Sequence, residues 1–174
     1  MTKILTRFEP HLSIKSIIEI DPKILKHSGI KCIFMDLDGT LVYLDDHRID
    51  TILEDWIFET QNFLPIKIMT FNHERKNLHL IENRLNQKIL QRQMFEHPKS
   101  FYAKVAKNVE CDTKQIMVVN DSLIILEIFA KPLGFITVKV PSIDEKIIHS
   151  PVGYIYRFGR WIEDNFIQPK LSNP

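Results

Sequence analysis

Five short apolar runs set the tightest limit on what this chain can fold into. They are residues 30–35 (IKCIFM), 66–69 (IKIM), 89–90 (IL), 116–119 (IMVV) and 135–140 (FITVKV). The first is bounded by Gly29 and Asp36. A mostly apolar run of this length suits a strand buried on both faces, as in a parallel sheet. Between the runs, apolar residues recur at helical spacing. Ile52, Leu53, Trp56 and Ile57 do so within 49–61, and Leu78, Ile81 and Leu85 within 73–86. Phe101 or Tyr102, Val105 and Val109 do so within 100–109, and 124–129 suits a further helix. Strand and helix therefore alternate, which predicts an α/β fold, a doubly wound, Rossmann-like parallel sheet with helices on both faces. Ligands of such sheets bind at the carboxyl ends of the strands. That rule singles out Asp36, Thr70 and Asp121, each at or near the end of a predicted strand.

The length of 174 residues suits one domain spanning 1–174. Within it, 1–29 is a lead-in. Residues 150–174, with Tyr154, Tyr156, Phe158, Trp161, Ile162 and Phe166, read as a terminal amphipathic helix and tail. Lys and Arg number 23 and Asp and Glu 22, a net charge of +1 that excludes proteins defined by global charge. The balance hides two opposed segments. Residues 36–62 hold eight acids against Arg48, while 74–108 hold eight bases against three acids. If both border the strand ends, a basic side faces the acids and can steer a phosphorylated ligand. No nucleic-acid-binding signature is present, so no nucleic-acid partner is expected. Cys32 and Cys111 form neither a disulfide framework nor a zinc pair. The sequence has no apolar run of about 18 residues and no signal-peptide block, so a cytoplasmic protein is expected, with non-classical export left open.

Asp36-Leu37-Asp38-Gly39-Thr40-Leu41 directly follows the first apolar run. In an extended backbone, positions 36 and 38 point to the same side. DLDGTL after an apolar strand resembles motif I of the haloacid dehalogenase (HAD) superfamily of phosphatases. The resemblance implies that Asp36 attacks phosphorus and forms an aspartyl-phosphate. It implies that Asp38 protonates the leaving oxygen and then activates water. It also implies Mg²⁺ as cofactor, held by Asp36, Asp38 and Asp121.

Thr70 fits the motif II hydroxyl, with Asn72 nearby, although either residue would also suit as cap of the next helix. Lys99, 22 positions before Asp121, fits the motif III lysine. His97 and Lys104 compete for that place, since the usual Lys-Pro pair reads His97-Pro98 here. Asp121 fits motif IV, but Asn120 replaces the usual glycine and position 126 is Leu. Either one carboxylate then suffices, or Glu127 supplies the second acid, or the site is weakened.

The intervals 36–70 and 70–99 are too short for a folded cap, which predicts an open site and a large phosphorylated substrate. The lead-in around 10–17 and the tail YIYRFGRWIEDNF are similar to the capless subfamily IIIA, in its YqeG-type and phosphatidylglycerophosphatase-like branch. The expected partner is thus a phosphoprotein or a phospholipid headgroup. Arg157 and Arg160 leave peripheral membrane contact open, and no oligomeric state is implied. The alternatives are a HAD-type protein tyrosine or serine phosphatase, or a catalytically weak relative that serves as a binding module. A receiver-like module fits poorly, because its phosphoacceptor would follow the third strand.

Overall fold

The computed structural model describes residues 9–43 and 46–143. The expected terminal helix at 150–174 lies outside the described residues. Six strands form one sheet: β1 (Leu12–Ser13), β2 (Cys32–Asp36), β3 (Ile66–Thr70), β4 (Leu90–Gln91), β5 (Ile116–Asn120) and β6 (Ile136–Lys139). Their spatial order is β1-β6-β5-β2-β3-β4, and every neighbouring pair is parallel. Five of the six strands coincide with the five apolar runs. The sixth, β1, lies in the lead-in and carries no apolar signal. It is two exposed residues held on the edge by main-chain pairing to β6 and by His11, whose ring and amide meet Thr137.

The helices are α1 (Pro22–His27), α2 (Thr51–Gln61), α3 (Leu78–Leu85) and α4 (Pro98–Lys107), with a wider π-helix at Ile125–Ala130. Period-two alternation along the central strands sends their side chains to two cores. Ile33, Met35, Met117 and Val119 pack on one face with Trp56 and Ile57 of α2 and Ile81 and Leu85 of α3. Cys32, Phe34, Ile116 and Val118 pack on the other with Phe101, Tyr102 and Val105 of α4 and with Leu126. The sheet is therefore doubly wound, as the alternation of elements implied. Among the described residues no helix is long and apolar enough to cross a membrane.

Two expectations about helices need correction. Ile52 is 63% exposed, because it lies in the first turn of α2 and the buried stripe is Trp56, Ile57 and Thr60. The helix expected from 73 starts only at Leu78, because Asn72 accepts the Glu74 amide at 3.0 Å and Asn77 takes a left-handed φ of 58°. Both conformations divert the backbone from helix.

Phe34 is fully buried at the centre of the second core, 5.7 Å from the Phe135 ring. Phe34→Ala is expected to cost about 3–5 kcal/mol of stability through lost burial and a cavity, read as a lower denaturation midpoint in urea.

Candidate active site

The strand order reverses between β2 and β5. From β2 the chain runs outward through β3 and β4, while β5 starts the other half of the sheet. In doubly wound sheets, ligands bind at the carboxyl ends of the strands beside such a reversal. Met35 pairs in register with Val119, so Asp36 stands level with Asn120 and Asp121 one step beyond. Asp36, Asp38, Thr70 and Asp121 are all buried at this end of the sheet.

The 37–42 turn is built by its own main chain. Leu37 donates to Met69 O at 2.9 Å, Gly39 to Val42 O at 2.8 Å, and Val42 back to Leu37 O at 3.0 Å. Gly39 sits at φ +76°, where an L side chain is strained. A Cβ at this position would lie 2.3 Å from Asp121 Oδ2. The glycine thus permits both the turn and the close approach of the β5 carboxylate. Thr40 completes the join, its hydroxyl accepting the Asp121 amide at 3.2 Å. Thr40 lies within the DLDGT motif, but its partner at the end of β5 leaves no signal in the local sequence.

Asp38 is held from the neighbouring strand. Thr70 donates its hydroxyl proton to Asp38 Oδ2 at 2.5 Å and accepts the Asn72 amide at 3.0 Å. A hydroxyl has one proton, so in this arrangement it serves the carboxylate. Neither Thr70 nor Asn72 caps α3, whose N-cap is Asn77. Arg75 adds an ion pair, Nε to Asp38 Oδ1 at 3.1 Å. It is a contact that the sequence reading missed.

The three candidates for the basic position have different surroundings. His97 caps α4 by accepting the Lys99 amide at 3.2 Å, and its ring lies edge-on to Phe129. Lys104 pairs with Glu96 at 3.4 Å. Lys99 is exposed in the first turn of α4, which begins at the carboxyl end of the sheet. Other bases of the 74–108 segment are also paired, Arg84 with Glu54 and Lys88 with Glu82. Lys139, another residue the sequence reading passed over, is buried at the end of β6 and in register with Asn120.

Asn120 needs no glycine-like backbone, since it is the last residue of an ordinary strand. Its side chain accepts the Ser122 amide at 2.6 Å. Tyr102 of α4 lies fully buried on the same face. Burial first, then the Asp36 carboxylate, hold its phenol well above the ordinary range, while the Asn120 side chain acts in the opposite direction. Tyr102 therefore remains a neutral hydroxyl beside Asp36. Glu127 points elsewhere. Its buried carboxylate binds Lys131 at 2.8 Å, and the same ammonium donates to Glu9 O, which precedes β1. Burial raises the Glu127 pKa and Lys131 opposes that shift. Among the described residues, no three His, Cys, Asp or Glu side chains form a group able to hold a metal. Asp36 and Asp121 are two hard oxygen donors at adjacent strand ends, while the Asp38 carboxylate is engaged by Thr70 and Arg75. Two carboxylates suit Mg²⁺, which keeps several waters and takes substrate phosphate oxygens.

The chain is 28% identical, over 157 residues, to the probable phosphatase YqeG of Bacillus subtilis (strain 168). The alignment covers 90% of this chain and 87% of that protein. No protein-family model matches the sequence.

Proposed function

We propose that this protein is a Mg²⁺-dependent phosphomonoester hydrolase of the HAD type, working through an aspartyl-phosphate on Asp36. The observation that carries the reading is the pairing of Asp36, at the end of central β2, with Asp38, whose carboxylate is held from β3 by Thr70. The likeness to a probable phosphatase supports the same reading. In the first step an Asp36 oxygen attacks phosphorus and the ester oxygen leaves, taking its proton from the Asp38 carboxyl. In the second step Asp38, now a carboxylate, takes a proton from water. That water attacks the phosphoryl group, phosphate departs and the Asp36 carboxylate is restored. Mg²⁺ bound by Asp36 and Asp121 would neutralise phosphate charge that otherwise repels an anionic nucleophile. Lys99, at the start of α4, is the favoured basic partner of the phosphate.

The substrate proposed is large, a phosphoprotein or a phospholipid headgroup. Between β2 and α4, the described elements are α2, β3, α3 and β4, which belong to the sheet and its helical layer. This supports an open crevice. The test is a screen with Mg²⁺ over phosphopeptides, phosphatidylglycerophosphate, sugar phosphates and an aryl phosphate. Turnover of the aryl phosphate that EDTA stops and Mg²⁺ restores is expected, with preference for the large substrates. Turnover confined to sugar phosphates overturns the open-site reading. A second reading, a binding module without turnover, is favoured by one observation: Glu127 is committed to Lys131 rather than to Asp121. Silence across the whole screen selects it.

A further inference from the structure

Arg75 has the environment of a functional group, yet it lies in the polar stretch HERKN that reads as solvated surface. Its side chain is only 4% exposed. Besides the ion pair to Asp38, its Nη2 donates to two main-chain carbonyls, Tyr43 O at 3.3 Å and Asp46 O. Both residues follow the Asp38 turn in sequence. Val42, just before Tyr43, pairs with Ile49, and both are buried in the first core. The Asp46 carboxylate accepts from Arg48 Nε at 2.6 Å and from the His47 amide at 2.7 Å. The Arg48 hydrogen bond is the main reason that its pKa falls to about 2. Arg75 thus joins Asp38 to the main chain at Tyr43 and at Asp46.

Local structure aims Arg75 at this place. Thr70 and Asn72 each accept an amide two residues on, and Arg75 N donates to Asn72 O at 3.3 Å. Gln91 of β4 donates to the same carbonyl at 3.0 Å. These side-chain turns fold the chain back over the end of β3. A planar guanidinium can pair its charge with the carboxylate while Nη2 donates to both carbonyls, whereas an ammonium is a single point.

We propose that Arg75 is a positioning residue, which holds Asp38 at the leaving-group side of the phosphate by tying it to the main-chain carbonyls of Tyr43 and Asp46. The proposal rests on the hydrolase reading above, with Asp38 as the acid of the first step. A positioned acid matters most when the leaving group needs a proton. It matters little for 4-nitrophenolate, which is stable as an anion, and greatly for an alkoxide. The constant to compare is kcat/KM, since it reports steps up to transfer of phosphoryl to Asp36 whatever limits turnover later.

The experiment uses the full chain with Mg²⁺, 4-nitrophenyl phosphate and benzyl phosphate, and the variants Arg75→Gln and Arg75→Lys. Thermal melting checks that each variant is folded. Arg75→Gln is expected to lower kcat/KM on benzyl phosphate about 100-fold, the usual scale of general acid catalysis. On 4-nitrophenyl phosphate the loss should be under about fivefold, as the acid contributes little there. Arg75→Lys should recover part of the benzyl phosphate loss and stands in if the glutamine variant unfolds. Equal losses on the two substrates, or no loss on either, overturn the proposal and leave the hydrolase reading intact. A wild-type protein that turns over neither substrate overturns both.

Discussion

Asp36→Asn abolishes phosphate release while the protein keeps its fold: this is the largest effect expected from the structure. The carboxamide has nearly the shape of the carboxylate, so β2 and its pairing to β3 and β5 are undisturbed. It lacks the anionic oxygen that the proposed mechanism bonds to phosphorus. Loss of a nucleophile typically costs several orders of magnitude, so kcat should fall by about 10⁴-fold or more. Stability should change little, because the buried side chain keeps its size and shape. The variant also removes the charge that helps to raise the Tyr102 pKa. Phosphate release from 4-nitrophenyl phosphate and a melting curve check both halves. Activity retained in the variant would remove Asp36 from the nucleophile's role.

The second large effect is at Gly39, where Gly39→Val is expected to lower kcat about 100-fold, the usual cost of misplacing a catalytic group. Two penalties coincide there. A β-branched residue at φ +76° is strained by about 1–2 kcal/mol or more. Its Cβ also falls 2.3 Å from Asp121 Oδ2. The atom displaced is the tip of a side chain, so the backbone yields little and the carboxylate moves instead. Activity should therefore fall far more than stability. Gly29 provides the control. It has a similar φ of +87°, but a Cβ there meets nothing within 4 Å. Gly29→Ala should lower the melting temperature and leave kcat unchanged. Parallel losses of activity in the two variants would show that backbone strain alone, and not the Asp121 contact, explains the Gly39 effect.

The strands were legible because a parallel sheet covered on both faces demands apolar residues at every position. Runs such as IKCIFM and IMVV satisfy that demand and little else. β1 was not legible, because two exposed residues, Leu12 and Ser13, join the edge through main-chain bonds that leave no trace in side-chain pattern. Helical periodicity located α2 but not the width of its buried stripe, which depends on the elements packed against it. Ile52 thus lies outside the stripe and Thr60 within it. Asn120 looked like a defect where a glycine is usual. In the structure it ends a regular strand and caps its own turn.

The sequence alone determined that the sheet is parallel and that Asp36, Thr70 and Asp121 stand near strand ends, because burial and strand endings are written in local pattern. It also placed Asp38 two residues beyond Asp36, next to the one glycine that its turn requires. The tertiary structure alone decided the partners of these groups. Thr70 reaches Asp38 across 32 positions of chain, and Thr40 reaches the Asp121 amide across 81. Arg75 is drawn from a polar stretch onto Asp38. Such contacts follow from strand order, and strand order brings together residues between which the sequence carries no periodic signal.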